Sequence, residues 1–172
     1  MIGILWIVSL FLFCIIIYVC RLEPFENNKE VIEKVKRNTT VMIDYMKKNY
    51  PNREETKVLS NLDVNVIQER DYFDKNIAYY RVKNGKERIG LCLNEERNKD
   101  SSYVNENTLM YVVIHELCHK LHSGHGESFK KCYVFLLKCA SEAGVYVPIN
   151  YKQYPVIYCS HRIRENPYFD EQ

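Results

Sequence analysis

The stretch His115-Glu116-Leu117-Cys118-His119-Lys120-Leu121-His122-Ser123-Gly124-His125 decides how the rest of the chain is read. Histidines four apart lie one turn from each other on the same face of an α-helix, so both imidazoles can reach one metal ion. Glu116 adjoins the first of them, placed to take a proton from water at that metal rather than to bind the metal itself. The third ligand has to come from beyond the helix, because the ion projects from its side. His125 is the candidate, since Ser123-Gly124 lets the helix stop and the chain turn back. Three imidazoles and one open position describe a catalytic Zn2+ site.

The flanks agree with this chemistry. Val112, Val113 and Ile114 before the motif, with Leu117 and Leu121 inside it, form the buried back of a helix whose ligands face the other way. Lys120 is the misfit, a charge expected to point to solvent. His122 shares the face of His115 and His119 but lies two turns from His115, about 10 Å along the axis, so one ion cannot hold both. It is expected at the rim. Glu127 is an alternative third ligand, because some zinc sites take a Glu from the following helix, but it stands too close to His125 for both to bind.

The spacing His-Glu-x-x-His, five residues, then His is shared with metzincins, but those want Gly where this chain has His122 and a methionine downstream. No methionine follows Met110. The segment HELCHKLHSGHGESF more closely resembles the WLM metallopeptidases and their SprT-like relatives, where His-Gly and then a Phe open the next helix. The tail Tyr154-Pro155-Val156-Ile157-Tyr158-Cys159 is similar to WLM-like proteins of large DNA viruses. The resemblance covers residues 30–160 in layout and 108–145 in motif. It implies a zincin-like domain with His115, His119 and His125 as metal ligands, Glu116 as the catalytic acid–base, and proteins, including proteins crosslinked to DNA, as substrates.

Residues 2–20, IGILWIVSLFLFCIIIYVC, form an apolar run without one charge. At 1.5 Å per residue it nearly spans a bilayer core of about 30 Å. A cleaved signal peptide fits less well: there is no basic n-region, and small residues are missing around Tyr18-Val19-Cys20. A buried core helix would need a larger protein around it. The expected organisation is a transmembrane anchor at 1–21, a linker at 22–28 and a peptidase-like domain at 29–172. Arg21, Lys29, Lys34, Lys36 and Arg37 follow the span and none precedes it, which predicts a domain facing the cytosol. Five cysteines outside the span, an odd number without framework spacing, agree with a thiol state. The sequon Asn38-Thr39-Thr40 would matter only on the lumenal side.

A net charge of +2 from 24 basic and 22 acidic residues, with the signs interleaved, leaves no basic stripe for nucleic acid. The expected fold class is α+β. Ile32, Val35, Met42, Tyr45 and Met46 mark a helix over 29–48, and residues 53–60 a short one. Val64 and Val66 suggest a strand. Ile77–Val82 and Glu87–Leu93 suggest a hairpin about Asn84-Gly85, completing a short antiparallel sheet. A sheet edge beside a cleft can take up an extended peptide as an added strand; the sequence leaves open whether this hairpin is that edge. Asn105 or Asn107 is expected to cap a metal helix over 108–122, and a second helix runs from Glu127 to Ala143. Residues 145–172 read as irregular and aromatic. Tyr158 is the candidate transition-state stabiliser there, with Tyr151, Tyr154 and His161 behind it. Two rival functions remain: a non-catalytic zinc-binding interaction module, and a membrane component in which the metal fold is secondary.

Overall fold

The computed structural model describes residues 27–98 and 101–170. The element order is α1 (Asn28–Asn49), α2 (Glu54–Leu59), β1 (Ile67–Glu69), β2 (Ala78–Lys83), β3 (Lys86–Leu91), α3 (Glu106–His119), α4 (Glu127–Glu142), β4 (Val156–Tyr158) and β5 (His161–Ile163). This is an α+β domain. The expected span at 2–20 lies outside the described residues, and among the described ones no helix is long and apolar enough to cross a membrane.

Helices α1 and α3 start where a side chain can accept an N–H group that a first turn leaves over. Asn27 accepts from Glu30 N–H and Asn105 from Thr108 N–H. Asn107, the other expected cap, instead bonds Val147 through both its backbone groups. Helix α1 buries Val35, Met42 and Met46 completely, on the spacing read from the sequence, and α3 buries Val113, Ile114, Leu117 and Cys118 completely. Fully burying an aliphatic side chain of this size stabilises the fold by about 1.5–3 kcal/mol. Together with Leu136 and Leu137 of α4 these residues make one continuous core.

The sheet departs from expectation. Its order is β1-β3-β2, with β2 antiparallel to β3 but β1 parallel to it, so it is mixed rather than antiparallel. The chain leaves β1, crosses by residues 70–77 and enters β2 on the far side of the position that β3 later fills. Val64–Val66 form a 3-10 turn, and the strand begins only at Ile67. Asn84 and Gly85 adopt φ of 52° and 72°, as a type I′ turn requires.

Residues 145–172 also hold regular structure. β4 and β5 pair antiparallel with Tyr158 opposite His161, leaving Cys159 and Ser160 as a two-residue turn at φ 50° and 65°. Positive φ is unfavourable for both residue types. The turn is held from outside: Cys159 N–H bonds Asn94 O, Ser160 N–H bonds Glu95 O, and Cys159 forms a disulfide with Cys92. That bond corrects the reading of the cysteines as unpaired. Cys118, Cys132 and Cys139 stay free and buried.

Candidate active site

The metal helix ends earlier than its sequence suggests. α3 stops at His119, and the chain tightens into a last turn in which Lys120 N–H bonds Leu117 O and Leu121 N–H bonds Cys118 O, each three residues back, with His122 N–H sharing the Cys118 carbonyl. The tightening serves the site, because it brings His122 O to 3.1 Å from His119 Nδ1. A carbonyl there accepts a hydrogen bond from Nδ1–H, which keeps the proton on that nitrogen, leaves Nε2 free to bind, and fixes the ring's orientation. His122 thus meets the site through its backbone.

His115, His119 and His125 come together, with their ligand atoms all within 4.8 Å of one another and His125 Nε2 3.1 Å from His115 Nε2. Tetrahedral zinc with Zn–N bonds of about 2.0–2.1 Å needs nitrogens roughly 3.3 Å apart, so the donor set fits the ion. Burial first, then the neighbouring imidazoles of His119 and His125, pull His115 down to about 4, and burial lowers His119 as well. Neutral imidazole is the form that binds a metal. Glu127 is exposed and pairs with Lys131 instead of joining the cluster.

Glu116 is buried beside the histidines, at 6% exposure. Burial raises it to about 7, opposed by a hydrogen bond from the Tyr80 backbone. That bond ties the carboxylate to β2, an edge strand of the sheet. Together β2, α3 and the β4–β5 hairpin wall a cleft of about 800 Å³ with the three histidines and Glu116 in its lining; Tyr80, Tyr111 and Ile163 are among the other lining residues.

Two residues read differently in three dimensions. Lys120 does not point to solvent; its ammonium pairs with Glu87 of β3, whose carboxylate also accepts from Tyr80 OH. The pair fastens the end of the metal helix to the hairpin that walls the cleft. Tyr158 does line the cleft, but its hydroxyl accepts from Cys92 N–H at 3.0 Å and lies 3.4 Å from Ile77 O. With both its roles spent on backbone, this hydroxyl holds the C-terminal hairpin to the sheet. His161 is turned onto Cys159 O, and Tyr154 is exposed.

Phe129, in the first turn of α4, belongs to the core and is 3% exposed. Yet its ring packs on all three imidazoles, with centroids 4.9 Å from His115, 4.7 Å from His119 and 4.7 Å from His125. Tyr133, one turn further along α4, meets His115 edge-on. The signal available was position: Phe129 lies in the first turn of α4, four residues after His125.

A metal-competent histidine cluster built on a helix and the loop after it, a buried glutamate beside that cluster and a strand edge along the cleft define a metallopeptidase-type domain. Comparison with known proteins gives the family. Residues 21–137 match the model of the YgjP-like metallopeptidase domain, and the chain belongs to that family, on the SprT-like side of the resemblance read from HELCHKLHSGHGESF. It is 28% identical over 148 residues to an uncharacterized protein of Acanthamoeba polyphaga mimivirus, covering 82% of this chain and 73% of that one. An uncharacterized protein of Invertebrate iridescent virus 6 is 35% identical over 63 residues, and one of Invertebrate iridescent virus 3 is 40% identical over 74. Those matches cover 36% and 42% of this chain, and 35% and 44% of the two viral proteins. The relatives fit the resemblance to proteins of large DNA viruses. No solved structure matches.

Proposed function

We propose that this chain is a zinc metalloendopeptidase acting on protein substrates, with His115, His119 and His125 as ligands and Glu116 as general base. The observation that carries the reading is the convergence of three imidazoles and one buried carboxylate in a single cleft. Zinc held there supplies a Lewis acid that polarises the scissile carbonyl and acidifies a water. Glu116 takes the proton of the attacking water and returns it to the leaving amine. The free edge of β2 aligns an extended substrate beside α3 by main-chain hydrogen bonds. Nucleic acid does not enter the proposal; proteins crosslinked to DNA are implied by family resemblance alone, and the charges of the chain are interleaved.

The proposal includes a single membrane anchor at residues 2–20, supported by their uninterrupted apolar sequence. The basic residues that follow orient the domain to the cytosol. The Cys92–Cys159 bond favours the opposite, oxidising side. A glycosidase-sensitive mass shift that Asn38→Gln abolishes would put the domain in the lumen; its absence from membrane-inserted chain supports the cytosolic orientation.

The ligand assignment is tested by metal analysis of the purified chain. One zinc per chain is expected, lost in His125→Ala and kept in Glu127→Ala and His122→Ala. The reverse order would overturn the ligand set.

A further inference from the structure

The loop between β1 and β2 is built with unusual firmness around an exposed apolar tip. Arg70, 7% exposed, donates from Nη1 to the carbonyl oxygens of Asp71, Tyr72 and Asp74 at 3.0, 3.2 and 2.9 Å. Arg81 grips Asp74 with two hydrogen bonds while stacking on the Tyr79 ring, and Arg97 donates to Lys75 O. A loop so pinned holds one shape, yet it presents Phe73 at 92% exposure, with Tyr72 half-exposed and edge-on to it. Phe73 and Tyr72 thus form one contiguous exposed aromatic tip on a pre-shaped loop, and adjoining exposed apolar groups, rather than a lone one, are what mark a binding surface. Both acids of the loop have arginine partners within the fold, Asp71 in an exposed pair with Arg88 and Asp74 with Arg81, while Lys75 stands exposed two residues from Phe73.

The position of this tip relative to the chain's entry names its occupant. Asn28, the first residue of α1, donates to Glu69 at 2.8 Å, and Glu69 immediately precedes Arg70. The polypeptide therefore enters the domain at the foot of the loop. Residues 21–27 alone separate that entry from the apolar run ending at Cys20, and so short a segment reaches roughly 25–30 Å even fully extended. We propose that Phe73 and Tyr72 dock into the headgroup region of the bilayer that residues 2–20 span, with Lys75 toward anionic lipid. This rests on the anchor reading given above. Aromatic rings favour that boundary, and a nearby lysine gains from a negative surface. The loop also contributes Asn76 and Ile77 to the cleft, so docking sets one end of the cleft beside the membrane.

The test uses the full chain in liposomes containing anionic lipid. Trp6, the single tryptophan, is replaced by Phe, and a reporter is introduced as Phe73→Trp or, for comparison, Val147→Trp. Val147 is exposed and lines one surface groove with Asn38, which is ten residues up α1 and so about 15 Å along the helix from the entry. Lipids brominated on the acyl chain near the headgroup should quench the Phe73→Trp emission about two-fold or more, as for a ring 5–10 Å into the boundary, and leave Val147→Trp unchanged. Equal response of the two reporters in liposome-retained protein overturns the docking. So does a blue-shifted Phe73→Trp emission that the lipids do not quench, because protein then covers the ring. Release of the chain by alkaline carbonate refutes the anchor itself, an outcome read separately from quenching.

Discussion

Replacing Phe129 by Leu tests whether the ring orders the metal ligands or merely fills the core. The ring touches three imidazoles with centroids 4.7–4.9 Å away, and leucine keeps most of the apolar volume while losing the flat face against which the imidazoles rest. A roughly volume-conserving core swap costs under about 1.5 kcal/mol, so Phe129→Leu should fold. Loss of a group that orients metal ligands typically costs 10–100-fold in affinity, about 1.4–2.7 kcal/mol. Zinc affinity measured by competition with a chromogenic chelator should fall by that factor, while unfolding of the metal-free protein shows only the small loss. Leu136→Ala is the comparison: it lies on the same helix, fully buried and outside the imidazole contacts. It should cost about 2–5 kcal/mol of stability and leave the affinity of the folded protein near wild type. If affinity instead follows stability in both variants, or Phe129→Leu binds zinc as wild type does, the ring has no positioning role.

Two further outcomes follow from the C-terminal hairpin. The Cys92–Cys159 bond closes a loop of 67 residues, and the chain-entropy relation gives about 4 kcal/mol for its loss; denaturation of Cys92→Ala/Cys159→Ala, or of wild type under reductant, should show a decrease approaching that, and an unchanged midpoint would mean the bond does not form in solution. Tyr158→Phe removes one of two acceptors of Cys92 N–H, the other being Ile77 O at 3.2 Å, so stability should fall by about 1 kcal/mol with cleavage rate nearly unchanged. A rate loss of 10²-fold or more at unchanged stability would instead restore Tyr158 as an oxyanion donor.

Local patterns carried much of this architecture into the sequence. The histidine spacing, the apolar stripe of α1 and the Asn84-Gly85 turn are governed by contacts within a few residues, and each has its expected local form. What was illegible depends on distant partners. Parallel pairing of β1 with β3 leaves no mark in a three-residue strand. The turn at Cys159-Ser160 lacks the Asn-Gly signature because its positive φ values are imposed by Asn94, Glu95 and Cys92, more than sixty residues earlier. Lys120 looked misplaced only until Glu87 stood opposite it. Phe129 has the spacing of a core residue, and nothing in that spacing tells which side chains its ring will meet.

The central claim, hydrolysis with Glu116 as the base, is tested most directly by Glu116→Gln. Glutamine keeps the shape of the side chain but cannot take a proton at neutral pH, and a general base typically contributes 10²–10⁴-fold in rate. Zinc content should stay at the wild-type level, because Glu116 is outside the histidine cluster. Cleavage of an unfolded protein substrate should fall by that factor, with a chelator-treated sample setting the background. Equal cleavage by wild type and variant above that background would contradict the account.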